Sequence, residues 1–201
     1  MLLTRPKAKK MTYTTPFYFL RHGEADWNQE KRCIGSLNRP LTDRGRVQAE
    51  AVRAKITALE IGVVFYSPLS RAADTARLAT AGSQWPLIPE PDLMEAKLGV
   101  KEGAREDNPS DPFILNWING DTFDGAETFN QFKRRVNQAL SRCFEEAQDH
   151  SGLPLIVAHA GVHHAICAAL DAPSIKGVPH CVPISHQPPT HDRDTWKVVL
   201  S

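Results

Sequence analysis

Arg21, His22, Arg71, Glu95 and His159 are the residues of this chain whose types could act together on an anion. Arg21-His22-Gly23-Glu24 follows Phe17-Tyr18-Phe19-Leu20, an apolar run that reads as a short buried strand and turns abruptly at Gly23. In open α/β sheets, ligands bind at the C-terminal ends of the strands. A cation beside an imidazole at that place, in front of free backbone N–H groups, suits an anion that the imidazole could attack. Two further segments have the same setting. Ser67 to Arg71 follows an apolar run at 63–66, and His159 follows another at 154–158. Parallel strands would project all three segments from one edge of a sheet.

The surrounding pattern supplies such a sheet. Thr42 reads as the N-cap of a helix running to about residue 59, with Val47, Ala51, Ala54 and Ala58 on one face. Residues 70–81 carry alanine at helical spacing, and Leu87-Ile88 reads as a short strand closed off by prolines. From 89 to 125 prolines, glycines and Asn/Asp clusters break the periodicity. This is expected to be a lid-like excursion with a short helix at 113–118. The clearest helix is 127–148, striped by Phe129, Phe132, Val136, Leu140, Cys143, Phe144 and Ala147, with Lys133-Arg134-Arg135 on its solvated face. A helix at 162–170 and a final strand at 195–200, preceded by a Pro/His-rich loop, complete the chain. Strands alternating with helices predict an α/β fold, a three-layer α/β/α sandwich with a mostly parallel central sheet.

Composition narrows the partners. The 201 residues suit one domain, expected at 13–201 behind a disordered tail at 1–12, with Met11 as an alternative start. Apolar and charged fractions of 41% and 23% are those of a globular protein. A net charge of +1 gives no reason to expect nucleic acid or a membrane surface as partner. The basic stretch at 5–10 is not followed by an apolar signal-peptide core, and no run is long enough to span a bilayer. Cys33, Cys143, Cys167 and Cys181 form no C-x-x-C pair, so reduced thiols in a cytoplasmic protein are expected.

The motifs, taken in order, resemble those of the histidine phosphatase superfamily, also called the phosphoglycerate mutase-like family. They run from Arg21-His22-Gly23-Glu24 with Asn28 through Gly35, Leu41-Thr42 and Gly45 to Ser67-Pro68-Leu69-Ser70-Arg71-Ala72. Glu95 with Gly99 and Glu102-Gly103 follows, then Gly125-Ala126-Glu127-Thr128-Phe129 and Val157-Ala158-His159-Ala160-Gly161-Val162. The resemblance covers about residues 17–170. It implies His22 as nucleophile, forming a phosphohistidine, with its other ring nitrogen held by the carbonyl of Gly23. It implies Arg21, Arg71 and His159 around the phosphoryl oxygens, with Asn28 and the Ala160 N–H as neutral donors. Gly23, Ile34 and Gly35 complete the expected substrate contacts. Glu95 is favoured over its neighbours Glu90, Glu102 and Glu106 to protonate the leaving oxygen and later deprotonate water.

No cofactor and no metal is implied, because the arginines and histidines neutralise the charge. His159, His163 and His164 could suggest a metal cluster, but no acidic or cysteine ligand is seen at useful spacing. Departures from the mutase branch favour hydrolysis. Mutases carry Glu-Arg-His-Tyr-Gly around the acid where this chain has Glu95-Ala96-Lys97-Leu98-Gly99, and Phe-Ser-Gly where it has Cys33-Ile34-Gly35. A mutase must shield its phosphorylated intermediate from water, which takes a closed lid and a carboxylate clamp. The expectation is a phosphomonoester hydrolase acting on a small phosphorylated metabolite. A glycerate-type mutase and a non-catalytic phospho-ligand binding module are the alternatives. Phe113, Trp117 and Phe123 are candidates either for an apolar substrate wall or for packing.

Overall fold

Strands apolar along nearly their whole length belong inside a sheet covered on both faces, and three of this chain's strands are of that kind. The computed structural model describes residues 13–108, 110–191 and 194–201; the tail expected at 1–12 lies outside them. Its elements are β1 (Phe17–Arg21), α1 (Asp43–Ala51), α2 (Arg53–Thr57), β2 (Ile61–Tyr66), α3 (Ser70–Ala79) and β3 (Leu87–Pro89). They continue with α4 (Phe113–Ile118), α5 (Phe129–Glu146), β4 (Leu153–Ala158), α6 (Ala160–Leu170), β5 (Pro183–Gln187) and β6 (Lys197–Leu200). The strand order is β3-β2-β4-β1-β5-β6. β1 to β4 run parallel, and β5 and β6 join antiparallel at one edge.

Alternate residues of the central strands face two separate cores. Phe17, Phe19, Phe65 and Ile156 pack with α5 and α6, while Leu20, Val64, Leu155 and Val157 pack with α1, α2 and α3. This is the expected α/β/α sandwich. Register then places the chemistry. Arg21 lies opposite Ala158 and Tyr66 opposite Val157, so β1, β2 and β4 end together. The chain is pinned just beyond those ends by His22 N–H to Ala158 O and Ser67 N–H to Val157 O, both 3.0 Å.

Three expectations are corrected. The helix after Thr42, whose Oγ1 accepts the Gly45 N–H at 3.0 Å, breaks at Val52 into α1 and α2. It buries Gly45, Ala49, Val52 and Ile56, while Val47 is 63% exposed and Ala51, Ala54 and Ala58 face solvent. Its phase is set by backbone approach: a Cβ on Gly45 would come within 1.9 Å of Glu24 O, so only glycine can lie there. The Pro/His-rich segment expected as loop contains β5, whose proline stands at the first position, where a missing N–H is tolerated. On α5, capped by Thr128 and Gln131, the basic run divides. Arg135 is drawn inward, its side chain only 21% exposed.

Two imidazoles are built into the core between α6 and β5. His186 stacks on Phe17 at 4.3 Å, and His163 meets Phe19 edge-on at 5.0 Å. Burial pushes His163 down to about 3 and His186 to about 4, the latter against a weak contact with the Ile184 backbone. Both are neutral near pH 7. Among the described residues no helix is long and apolar enough to cross a membrane.

Candidate active site

His22 begins the turn after β1, with Nδ1 2.6 Å from the Gly23 carbonyl. A carbonyl only accepts, so Nδ1 carries the ring proton and Nε2 keeps its lone pair. The turn is held tightly. Gly23 N–H donates to Thr75 Oγ1 at 3.0 Å, which in turn donates to Arg71 O on α3. A Cβ on Gly23 would sit 2.4 Å from Gly45 O. Burial, followed by His159, Arg71, Arg21 and His180, holds the His22 imidazole well below the usual histidine range. It is the neutral form that can act as a nucleophile.

Two guanidiniums flank it. Arg71, 1% exposed at the start of α3, donates to Leu37 O at 2.7 Å and Gly35 O at 2.8 Å. Burial lowers it to about 10, so it stays charged near pH 7. Arg21 donates to Val178 O at 2.6 Å. His159, the N-cap of α6, bonds Ser67 Oγ through Nε2 at 2.8 Å, with its ring 5.1 Å from that of His22. The Nε atoms of both arginines and Nδ1 of His159 are buried with no partner among the described residues. Buried donors are rarely left so. Here they surround one imidazole, as groups that bind an anion would.

Arg21, His22 and Arg71 open onto a cavity of about 280 Å3, which Asn28, Ile34, Gly35, Glu95 and Ala160 also line. Asn28 accepts the Ala25 N–H on Oδ1, leaving its NH2 as a donor. Gly35 has φ +55, and a Cβ there would meet Glu102 Oε1 at 2.5 Å. Two expected contacts stand elsewhere. Gly23 is off the cavity wall, because its N–H and carbonyl are committed to Thr75 and His22; it positions the imidazole. His159 is likewise absent from the lining, fully buried beside His22.

The candidate glutamates separate by partner. Glu95 reaches the start of α6, accepting Gly161 N–H at 3.0 Å and Ala96 N–H at 3.1 Å. Glu90 is paired to Arg142 at 2.8 Å, and Glu102 braces the Gly35 turn through the Ser36 N–H and hydroxyl. Glu106 also lines the cavity; burial, then the Glu95 charge, raises its carboxyl.

Other groups were not foreseen. Arg135 holds the Glu95 segment by donating to the carbonyls of Asp92, Met94 and Glu95 while pairing with Glu127 at 2.7 Å. His180 Nδ1 donates to His22 O at 2.7 Å. No local signal marks either residue, since an arginine on an amphipathic helix and a histidine in a loop read as solvated. The apolar end of the cavity is Ile34, Leu98, Ile114, Trp117, Ile118 and Phe129. Trp117 thus reaches the wall, whereas Phe113 and Phe123 pack against each other in the core. The donor cluster differs from the histidine trio that the spacing offered: Cys167 stands one turn after His163, and His186 joins them, while His164 lines the cavity and bonds Ser174.

Comparison with known proteins agrees with this architecture. Residues 17–197 match the family described as the histidine phosphatase superfamily (branch 1). A relative from Enterobacter sp. (strain 638), "Probable phosphoglycerate mutase GpmB", is 33% identical over 149 residues, which is 71% of this chain and 68% of the relative. The solved structure of TTHB049 from Thermus thermophilus is 27% identical, with TM-score 0.68 over 93% of this chain and 99% of that one. A "putative alpha-ribazole-5'-P phosphatase" from Escherichia coli K-12 shares the fold at TM-score 0.73 and 20% identity, over 94% and 96% of the two chains.

Proposed function

The chain belongs to branch 1 of the histidine phosphatase superfamily, and we propose that within it the protein hydrolyses small phosphomonoesters through a phosphohistidine on His22. Nε2 of His22 attacks phosphorus as the bond to the leaving oxygen breaks, and Glu95 supplies that oxygen with a proton. Water then attacks the phosphohistidine, Glu95 takes its proton, and phosphate leaves with His22 restored. Arg21, Arg71 and Asn28 hold the non-bridging oxygens, where charge gathers in the transition state, and His159 supports His22 from its buried place beside it. Two guanidiniums supply the neutralisation that a metal ion supplies elsewhere, so the mechanism is metal-independent.

One observation carries the choice of hydrolase over mutase: the cavity wall away from the arginines is apolar. Among the described residues lining it, the basic groups are Arg21, His22, Arg71 and His164. Lys31 and Arg32, in an adjoining cleft, are committed to Asp107 at 3.3 Å and Glu30 at 2.7 Å. Among the described residues lining the cavity, a glycerate substrate would find no spare cation for its carboxylate, whereas an apolar or aromatic leaving group would be desolvated against Trp117 and Phe129. This reading departs from the mutase name of the relatives.

The test is turnover of p-nitrophenyl phosphate and a panel of phosphometabolites by the purified protein. Hydrolysis should persist in a chelator and fall roughly a thousandfold or more in His22→Ala. Transfer of phosphate between the 3- and 2-positions of glycerate, stimulated by 2,3-bisphosphoglycerate, would overturn the assignment.

A further inference from the structure

On the face of the sheet covered by α6, three soft donors converge that the chemistry at His22 does not use. His163 and Cys167 stand one turn apart on α6, and His186 comes from β5. All three are buried. One donor atom from each lies within 4.8 Å of the other two, and Cys167 Sγ is 3.8 Å from either nitrogen of His163. Neither nitrogen of His186 makes a well-formed hydrogen bond. An imidazole buried against Phe17, Phe19 and His163, with no more than a weak contact to the Ile184 backbone, loses hydration that the described residues do not restore. We propose that His163, Cys167 and His186 bind one soft transition-metal cation, and that Cu(I) is the ion whose chemistry fits.

Donor type argues for softness, since thiolate with imidazole selects copper and zinc over magnesium or calcium. Donor number argues for copper. Structural zinc sites close with four ligands, and among the described residues this cluster offers three. Charge points the same way. Cu(I) with one thiolate is neutral, whereas Zn(II) would leave a positive charge in an apolar core.

Metal–sulfur and metal–nitrogen bonds of about 2.3 and 2.0 Å place the donors of a trigonal site roughly 3.5 to 3.7 Å apart. The cysteine–histidine spacing is already close to this, and no separation need close by more than about 1.3 Å. On binding, the S–H bond breaks, its proton passes to solvent, and the sulfur lone pair forms the bond to copper; no electron changes hands. The ion would tie α6 to β5. α6 carries His159 at its N-cap and Gly161, whose N–H holds Glu95, so the site would brace the catalytic end without joining the reaction.

The full chain should be refolded under reducing, anaerobic conditions with Cu(I) or with Zn(II), then freed of excess metal by gel filtration. Metal per chain and melting temperature are the readouts. One Cu(I) per chain and a raised melting temperature are expected. Both should be lost in Cys167→Ser and in His186→Phe, the second of which keeps a ring against Phe17. Retention of neither metal, or equal retention by wild type and both variants, would overturn the site; stoichiometric zinc without copper would overturn the choice of ion.

Discussion

His22 owes its chemistry to its neighbours. The Gly23 carbonyl selects the tautomer, and burial beside two guanidiniums keeps the ring neutral into acid. A base whose pKa is lowered stays unprotonated as pH falls. The acid limb of kcat/KM for p-nitrophenyl phosphate should therefore lie below the ordinary histidine value of about 6.5. Arg21→Lys should lower kcat/KM by roughly 100- to 1,000-fold, because an ammonium cannot reproduce a guanidinium directed by the Val178 carbonyl. Glu106 belongs to the same scale. Burial and Glu95 raise its carboxyl, so it gains charge only as pH rises, and that charge then opposes a bound anion near Arg21. Inhibition by inorganic phosphate should tighten in Glu106→Gln at pH 8 and match wild type at pH 4. An equal effect at both values would remove the electrostatic explanation.

Among the elements, α6 and α5 decide where Glu95 stands. A Cβ on Gly161 would lie 2.3 Å from Glu95 Oε1. Gly161→Ala favours helix intrinsically, yet it must displace the carboxylate. The expected outcome is an unchanged or raised melting temperature with kcat down by about 100-fold. Arg135 acts from α5 through three carbonyls and Glu127. Its removal leaves those acceptors unpaired, so Arg135→Ala should cost about 1–3 kcal/mol of stability in denaturant unfolding. It should also lower kcat while leaving phosphate affinity near wild type, since Arg21 and Arg71 are untouched. The same elements show what sequence patterning could carry. The strands at 61–66 and 153–158 and the stripe of α5 are dense, regular apolar patterns. α1 misled, because its phase is set by the Gly23–Gly45 backbone contact, which no periodicity of side chains records. β5 was missed because its short irregular pattern becomes a strand only when Phe19 and Ile184 pair across a long stretch of chain.

At the scale of the whole molecule, stability should depend on pH through its buried histidines. His163, His180 and His186 are lowered to about 3, 4 and 4, and His22 and His159 are well below their usual value. Unfolded, each would titrate near about 6.5. Below that value the unfolded chain binds protons that the folded chain refuses, so stability falls progressively from about pH 6.5 toward pH 3–4. The melting temperature should drop steeply across that window and be flat above it. A flat profile through pH 5 would mean that these imidazoles are not held neutral.

What the sequence determined by itself is the ordered set of motifs, the α/β layering, and the placing of Arg21, Ser67–Arg71 and His159 at strand ends. These follow from local apolar pattern and from strands running one way, so adjacency along the chain is enough to read them. Tertiary structure alone decided the rest: which glutamates reach the cavity, that Arg135 clamps one of them, and that His186 meets His163 and Cys167. Each of these depends on side chains meeting across elements far apart in sequence. Such contacts are chosen by the packing of α5, α6 and β5 on one sheet, and no window of residues contains that packing.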